Sequence, residues 1–197
     1  MKGPGSEASD TILGIGASAG GMHALKYVLR VLPRGFPAPI LILQHLAPDH
    51  ESRLPDLLDN VTELNVVVAE GSGLAQIGFI YIAPPNRHLV LGPGGGIHLM
   101  DTEQVHYSRP SVDVLFHSLA EHAGPSAIAV IVSGKGTDGA DGARAVHHAG
   151  GRVIVEDPES AAHRQMPQAA LRQVPEALVF PLDQIGDRLI ELAGIER

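Results

Sequence analysis

A glycine-rich turn constrains this chain more than any other feature. The segment Gly16-Ala17-Ser18-Ala19-Gly20-Gly21 follows the apolar run Ile12–Ile15 and precedes the amphipathic stretch Met22–Leu32. This order predicts a strand, a tight turn and a helix, with the serine at the apex of the turn. Such a turn projects a hydroxyl beyond the edge of a sheet, next to the partial positive charge of a helix N-terminus. The position suits a nucleophile, although the same residues also fit a phosphate-binding turn.

Short apolar runs alternate with helical patterns along most of the chain. Strands are predicted at Thr11–Gly16, Pro39–Gln44, Asn65–Ala69, Ala127–Ser133, Arg152–Glu156 and Ala177–Pro181. Helices are predicted at Met22–Leu32, Glu51–Asn60, Ser111–Ala123, Asp141–Ala149 and Gln184–Leu192, with Asp183 as the cap of the last one. Several runs are continuously apolar, which is typical of parallel strands covered on both faces. We therefore expect an α/β fold with a doubly wound, mostly parallel sheet and helices on both faces.

The middle of the chain departs from this alternation. Phe79–Ala83 and His88–Leu91 flank the turn residues Pro84-Pro85-Asn86-Arg87, a pattern that predicts an antiparallel hairpin. Ile97–Met100 follows a run of glycines and could add a third antiparallel strand. We expect this excursion to lie near one edge of a mixed sheet.

The composition of the chain argues against several classes of function. The chain has 197 residues, a formal net charge of −8, no cysteine and no tryptophan. The negative charge and the few aromatic residues argue against nucleic-acid binding and against an anionic membrane surface. The absence of cysteine excludes disulfides, thiolate metal sites and cysteine nucleophiles.

The domain organisation follows from the same residues. Residues 1–10 are polar and glycine-rich, which predicts a disordered lead-in, and residues 11–197 suit a single domain. No apolar run resembles a signal peptide or a membrane span, so a cytoplasmic location is the default expectation.

The glycine turn satisfies two motifs at once. Gly14-Ile15-Gly16-Ala17-Ser18-Ala19 matches the dinucleotide pattern G-x-G-x-x-A, but the second strand ends in Gln44-His45, and no carboxylate appears before Asp49 to bind a ribose. The overlapping G-x-S-x-G frame matches a nucleophile elbow. The structural alternative is that Ser18 is not a nucleophile and only caps the following helix.

Two further polar residues are predicted at the same edge of the sheet. His45 directly follows the strand at Ile40–Leu43, and Asp138 lies in the loop Ser133–Gly139 after the strongest strand candidate. Ligands bind at the carboxyl ends of strands in open α/β sheets. Ser18, His45 and Asp138 could therefore form a nucleophile, a base and an orienting carboxylate. Alternatively, His45 is a surface residue and Asp138 caps the next helix.

Several ordered motifs along the chain are typical of one known family. They are Ile15-Gly16-Ala17-Ser18-Ala19-Gly20-Gly21, Gln44-His45, Ile80-Tyr81-Ile82-Ala83-Pro84, Arg109-Pro110-Ser111-Val112-Asp113-Val114-Leu115-Phe116, Gly134-Lys135-Gly136-Thr137-Asp138-Gly139-Ala140 and Met166-Pro167-Gln168-Ala169-Ala170. Through these motifs the chain resembles the catalytic domain of the chemotaxis protein-glutamate methylesterases, over nearly all of its length from Ile12 to Leu192.

The resemblance implies a Ser18–His45–Asp138 triad that removes methyl groups from glutamyl esters on the cytoplasmic helices of chemoreceptors, and in many members also deamidates glutamine. It implies backbone amides near Ala19 and Lys135 as oxyanion donors, and no cofactor. Members of the family usually have threonine where this chain has Ala19 and methionine where it has Lys135.

Other departures concern the substrate and regulation. His163 and Arg164 stand where small or apolar residues are common, so they could alter the substrate groove. Arg53, Arg87, Arg109 and Arg164 are candidate groove residues for an acidic receptor substrate. The best-known members also carry an N-terminal receiver domain, for which ten residues before the first strand leave no room. The resemblance therefore implies a separate or fused regulatory partner.

Two other functions stay open at the level of sequence. A non-catalytic binding module of the same fold would tolerate the Ala19 and Lys135 departures. A metal hydrolase is less favoured, because His147 and His148 are adjacent on a helix and point to different faces. His45 and His50 likewise lack an acidic partner in a recognised ligand pattern.

Overall fold

The computed structural model describes residues 11–45 and 53–195, which form ten strands and six α-helices. The strands are β1 (Ile12–Ala17), β2 (Ile40–Gln44), β3 (Asn65–Val68), β4 (Ser72–Leu74), β5 (Phe79–Ile82), β6 (His88–Leu91), β7 (Gly96–Met100), β8 (Ala127–Ile131), β9 (Arg152–Glu156) and β10 (Leu178–Phe180). The helices are α1 (Gly21–Leu29), α2 (Leu54–Asp59), α3 (Val112–His122), α4 (Ala140–His148), α5 (Gln165–Gln173) and α6 (Leu182–Leu192). The predicted lead-in, Asp49 and His50 lie outside the described residues.

Seven of the strands form one parallel sheet in the order β10-β9-β8-β1-β2-β5-β3. The apolar residues of α1, α2 and α6 pack on one face, and those of α3, α4 and α5 pack on the other. This confirms the doubly wound α/β fold. Strand β1 is central, with β2 and β8 on its two sides, so the chain changes direction around it. The carboxyl end of β1 is therefore a switch point of the sheet, where ligands bind in such folds.

Gly14 and Gly16 of β1 lie directly beneath α3. A Cβ atom at Gly14 would come within 2.5 Å of Leu119 Cδ1, and one at Gly16 would overlap the side chain of Val112. The two glycines thus allow close packing of a helix on a strand. This packing accounts for the G-x-G part of the motif without a nucleotide.

The antiparallel excursion forms a separate sheet in the order β4-β7-β6. The expected pairing of His88–Leu91 with Ile97–Met100 is confirmed. The expected hairpin between Phe79–Ala83 and His88–Leu91 is wrong, because β5 pairs in parallel with β2 and β3. The Phe79–Ile82 run is half-buried to buried, as a strand inside a parallel sheet requires. The parallel sheet therefore contains no antiparallel strand among the described residues.

Two smaller expectations also differ from the structure. Helix α5 was not predicted, although Pro167 lies in its first turn, where a proline is tolerated. Asp183 does not cap the last helix, because α6 begins at Leu182 after Pro181 and has no side-chain cap. Across the described ranges, no helix is both long enough and apolar enough to cross a bilayer.

Candidate active site

Ser18 occupies the turn between β1 and α1. Its backbone N–H donates to the Ser133 carbonyl at 3.0 Å, and its carbonyl accepts from the Gly21 N–H at 2.8 Å and from Gln44 Nε2 at 2.6 Å. Gly20 is the N-cap of α1 with φ +77°, and no side chain caps this helix. The alternative that Ser18 caps α1 is therefore wrong. The backbone of the serine is fixed, while its half-buried hydroxyl makes no hydrogen bond within residues 11–45 and 53–195.

His45 lies beside Ser18 at the end of the next strand. Strands β1 and β2 pair through Ala17 and Gln44, and the His45 N–H donates to the Ala17 carbonyl at 3.0 Å. The register therefore places His45 next to Ser18 across the two strand ends. No hydrogen bond joins these two side chains in the described part of the chain. Such contacts often tighten only when a substrate is bound.

Asp138 lies behind the imidazole. His45 Nε2 is 2.8 Å from Asp138 Oδ2, and the carboxylate accepts three further hydrogen bonds from the start of α3. These come from Ser111 Oγ at 2.7 Å, Val112 N–H at 2.8 Å and Asp113 N–H at 3.0 Å. The helix that follows Asp138 has Gly139 as its N-cap, so the capping alternative for Asp138 is wrong. Asp138 instead occupies the positive N-terminal end of α3.

These contacts decide the charge of Asp138. Burial alone would raise the pKa of its carboxyl, but the hydrogen bonds from His45, from two backbone amides and from Ser111 outweigh burial and hold this pKa below its ordinary value of 3.8. An ionised carboxylate can only accept hydrogen bonds, so His45 Nε2 must carry the proton. The other ring nitrogen, Nδ1, is then the one with a free lone pair. It is the nitrogen that can accept a proton from a nucleophile.

A second carboxyl lies beside this one. Asp113 is 3% exposed, and its Oδ1 accepts the Gly142 N–H at 2.7 Å, while its Oδ2 lies 3.3 Å from His106 Nε2. Burial, followed by the charge of Asp138, raises its pKa to about 6 against the opposing Gly142 hydrogen bond. The pKa of Asp113 is therefore raised, whereas that of its neighbour Asp138 is lowered.

The loop after β8 closes the other side of the serine. A Cβ atom at Gly134 would lie 3.0 Å from Ser18 Cβ and would overlap the Met166 side chain. Only glycine allows the loop to pass this close, and the Gly134 N–H and carbonyl bind the His163 carbonyl and the Met166 N–H at 2.9 and 3.0 Å. The Met166 motif of the sequence thus packs against the loop that lies beside Ser18.

The candidate oxyanion donors are the backbone amides of Ala19, directly after Ser18, and of Lys135, directly after Gly134. Neither amide donates a hydrogen bond to another residue of the described ranges. The Lys135 side chain is exposed, so the lysine adds a charge at the rim without displacing any buried group.

The four candidate groove arginines have different surroundings. Arg109 shares a cavity of about 130 Å³ with His45 and is held by Asn86 Oδ1 and the Thr102 carbonyl. Arg164 is 64% exposed and precedes α5, beside the Gly134 loop. Arg87 is paired with Asp101 at 2.8 Å, and Arg53 is the exposed N-cap residue of α2. Arg109 thus lines a cavity together with His45.

Several residues of the site were not predicted from the sequence. Ser111 and Gln44 hold the carboxylate and the serine turn, and Ser133 binds both Ser18 and Ala19. The signal for Ser111 was present, because a serine after a proline and before an amphipathic helix is a typical N-cap. No comparable signal marks Ser133, whose contacts join segments distant in sequence. No group of three or more His, Asp or Glu side chains within residues 11–45 and 53–195 is arranged to hold a metal ion.

Comparison with known proteins shows the family of the chain. A family described as CheB methylesterase has a sequence model that matches residues 13–189. The chain belongs to the CheB methylesterase family. In structure, it is similar to the CheB methylesterase catalytic domain of Thermotoga maritima, with a TM-score of 0.88, 37% identity, and coverage of 92% of this chain and 98% of that one.

Two curated relatives show the range of lengths in the family. The protein-glutamate methylesterase FrzG of Myxococcus xanthus is 39% identical over 184 residues, which are 93% of this chain and 55% of FrzG. A Leptospira interrogans protein, provisionally described as a protein-glutamate methylesterase/protein-glutamine glutaminase, is 34% identical over 90% of this chain and 92% of its own length. The chain therefore spans about half the length of some curated relatives and nearly all of another.

Proposed function

We propose that this chain hydrolyses glutamyl methyl esters on the cytoplasmic helices of chemoreceptors, with Ser18 as nucleophile, His45 as base and Asp138 as orienting carboxylate. One observation carries the proposal. An imidazole lies next to the Ser18 turn, and a carboxylate that four donors keep ionised binds the far side of the ring. The names of the relatives supply the substrate class.

The chemistry follows from the protonation states. His45 Nδ1 takes the proton of the Ser18 hydroxyl as the Ser18 oxygen attacks the ester carbonyl. The resulting imidazolium is stabilised by the Asp138 carboxylate. When the tetrahedral intermediate collapses, the imidazolium returns the proton to the leaving oxygen, and methanol departs. A water molecule then attacks the acyl-enzyme with the same base, which yields the glutamate carboxylate and restores Ser18.

The backbone amides of Ala19 and Lys135 bind the negative oxygen of the intermediate. Ala19 directly follows Ser18, and Lys135 follows Gly134, which lies against Ser18. Such a donor typically contributes about 3 to 4 kcal/mol to lowering the barrier. Because the donors are backbone groups, the substitution of alanine and lysine for the usual side chains removes neither. The same site would release ammonia from a glutamine side chain, the second activity in the names of several relatives.

The substrate groove and the partners belong to the same proposal. Arg109 and Arg164 would attract an acidic substrate locally, although the whole chain carries a formal charge of −8. A cytoplasmic location fits a substrate on the cytoplasmic part of a receptor. A receiver domain, on a separate or fused chain, would supply regulation.

Methanol release from a methylated receptor cytoplasmic fragment tests the function. We expect the wild-type protein to release methanol and Ser18→Ala to lower kcat by about 10⁵-fold or more, because the covalent route is lost. Ala19→Ser is a matched control on the neighbouring residue, which keeps the backbone amide and should stay within a few-fold of wild type. Equal rates for wild type and Ser18→Ala would favour a non-catalytic binding module instead.

A further inference from the structure

Ser133 joins three segments around the serine turn. It is 1% exposed, and its carbonyl accepts the Ser18 N–H at 3.0 Å. Its hydroxyl donates to the Ala19 carbonyl at 2.8 Å and accepts the His163 N–H at 2.9 Å. Ser133 therefore binds the Ser18 N–H and the Ala19 carbonyl, which belong to the peptide groups before and after the Ser18–Ala19 peptide. The carbonyl of the Ser18–Ala19 peptide itself is bound by Gln44.

Glu156 is the group that fixes Ser133. Its Oε2 accepts the Ser133 N–H at 2.7 Å from the end of β9, and its side chain is 1% exposed. Its Oε1 has no hydrogen-bond partner within residues 11–45 and 53–195. A buried acid with an unpartnered oxygen is costly in a core. The proposed reaction does not consume or produce a proton at this group.

The surroundings of Glu156 favour its neutral form. Burial raises the pKa of this carboxyl, the Ser133 hydrogen bond opposes that rise, and the charge of Asp157 adds to it. In the described part of the chain, no arginine, lysine or histidine forms an ion pair with it. The ionised and the neutral carboxyl both offer an oxygen to the Ser133 N–H. Hydrogen-bond acceptance is therefore the property of Glu156 that this contact uses.

We propose that Glu156 is a positioning residue that acts through Ser133 to hold Ser18 and the Ala19 amide in their reactive places. The structure supports this through a continuous chain of contacts, from Glu156 Oε2 to the Ser133 N–H and from the Ser133 carbonyl and hydroxyl to Ser18 and Ala19. The inference rests on the proposed methylesterase function. Glu156 touches no reacting atom, so it should affect kcat and leave substrate binding largely unchanged.

The test compares two substitutions of Glu156. Glu156→Gln keeps an oxygen acceptor of the same shape, and we expect its kcat to stay within about 3-fold of wild type. Glu156→Leu removes the acceptor and keeps the volume, and we expect kcat to fall about 10- to 100-fold, the size of effect that a small displacement of reacting groups produces. KM should change less than 2-fold in both. Val153→Ala creates a cavity in the same strand, at a residue that does not bind Ser133. It is the control for destabilisation alone and should keep the wild-type kcat.

Hydrogen exchange provides a readout that is independent of activity. The Ser18 amide, bound by the Ser133 carbonyl, should exchange faster in Glu156→Leu than in Val153→Ala at matched global stability. Wild-type kcat in Glu156→Leu, or an equal loss in Glu156→Gln and Glu156→Leu, would overturn the proposal. If the wild-type protein releases no methanol, the proposed function fails, while unchanged Ser18 exchange in Glu156→Leu overturns the positioning role by itself.

Discussion

Two buried carboxyl groups, Asp138 and Glu156, lie at the same edge of the sheet, and their pKa values are shifted in opposite directions. Asp138, in the loop after β8, is 4% exposed and accepts four hydrogen bonds. Glu156, at the end of β9, is 1% exposed and accepts one. Burial is similar, yet the pKa of Asp138 is lowered and that of Glu156 is raised.

The number of hydrogen-bond donors, rather than the depth of burial, decides the direction of the pKa shift in these two acids. The N-terminal end of α3 supplies three of the four donors to Asp138, and His45 supplies the last. The single amide at Glu156 does not compensate for the loss of water. Asp138 can therefore stabilise an imidazolium, whereas Glu156 serves as a hydrogen-bond acceptor for Ser133.

The largest effect should follow from removing the charge at Asp138. Asp138→Asn keeps the shape but lets an amide N–H face the imidazole, which favours the wrong tautomer of His45. We expect kcat for methanol release to fall by about 10³- to 10⁴-fold, as in other triads of this kind. Glu156→Gln, the matched change at the other carboxyl, should leave kcat nearly unchanged. Similar losses in the two variants would contradict the contrast between the two groups.

A smaller effect should follow from removing one donor at Asp138. Ser111→Ala deletes the hydroxyl that Asp138 Oδ1 accepts, so the carboxylate is less well held and its pKa should move up. A hydrogen bond to a charged group contributes about 1.5 to 3 kcal/mol to stability, and only the part that strengthens in the transition state affects the rate, so we expect kcat to fall by about 10-fold at most. Ser111→Thr keeps the hydroxyl and is the control. A kcat of Ser111→Ala equal to that of Ser111→Thr would show that the backbone donors suffice.

The smallest effect is on stability, and the sign differs between the two groups. The lowered pKa of Asp138 means that its contribution to the free energy of unfolding is complete above 3.8 and is lost as the pH falls below that value. The raised pKa of Glu156 means that its contribution is complete below 4.5 and is lost as the pH rises through its higher native pKa.

Urea unfolding of the wild type and of Glu156→Gln across this range measures the second contribution. Glu156→Gln cannot ionise, so its stability relative to wild type should increase as the pH rises above 4.5. A constant difference between the two proteins at all pH values would show that the pKa of Glu156 is the same in the native and the unfolded state.

Strand and helix positions in the parallel sheet could be predicted from the sequence because their apolar runs are long and regular. The candidate triad could be predicted because Ser18, His45 and Asp138 each follow such a run. Phe79–Ile82 was misassigned because a proline-rich turn before His88 is a strong local hairpin signal, while its pairing with β2 is a long-range contact. Ser133 and Glu156 were missed for the same reason, since their roles depend on contacts between distant strands.

Gly14 and Gly16 of β1 affect the imidazole indirectly. Helix α3 packs directly on these two glycines, and the backbone amides of its first turn bind the Asp138 carboxylate behind His45. A methyl group at either glycine would push α3 away from the sheet and move the Asp138 carboxylate away from His45. An unbiased screen for inactive variants should therefore recover these two glycines alongside the acid–base residues, although neither comes near a substrate.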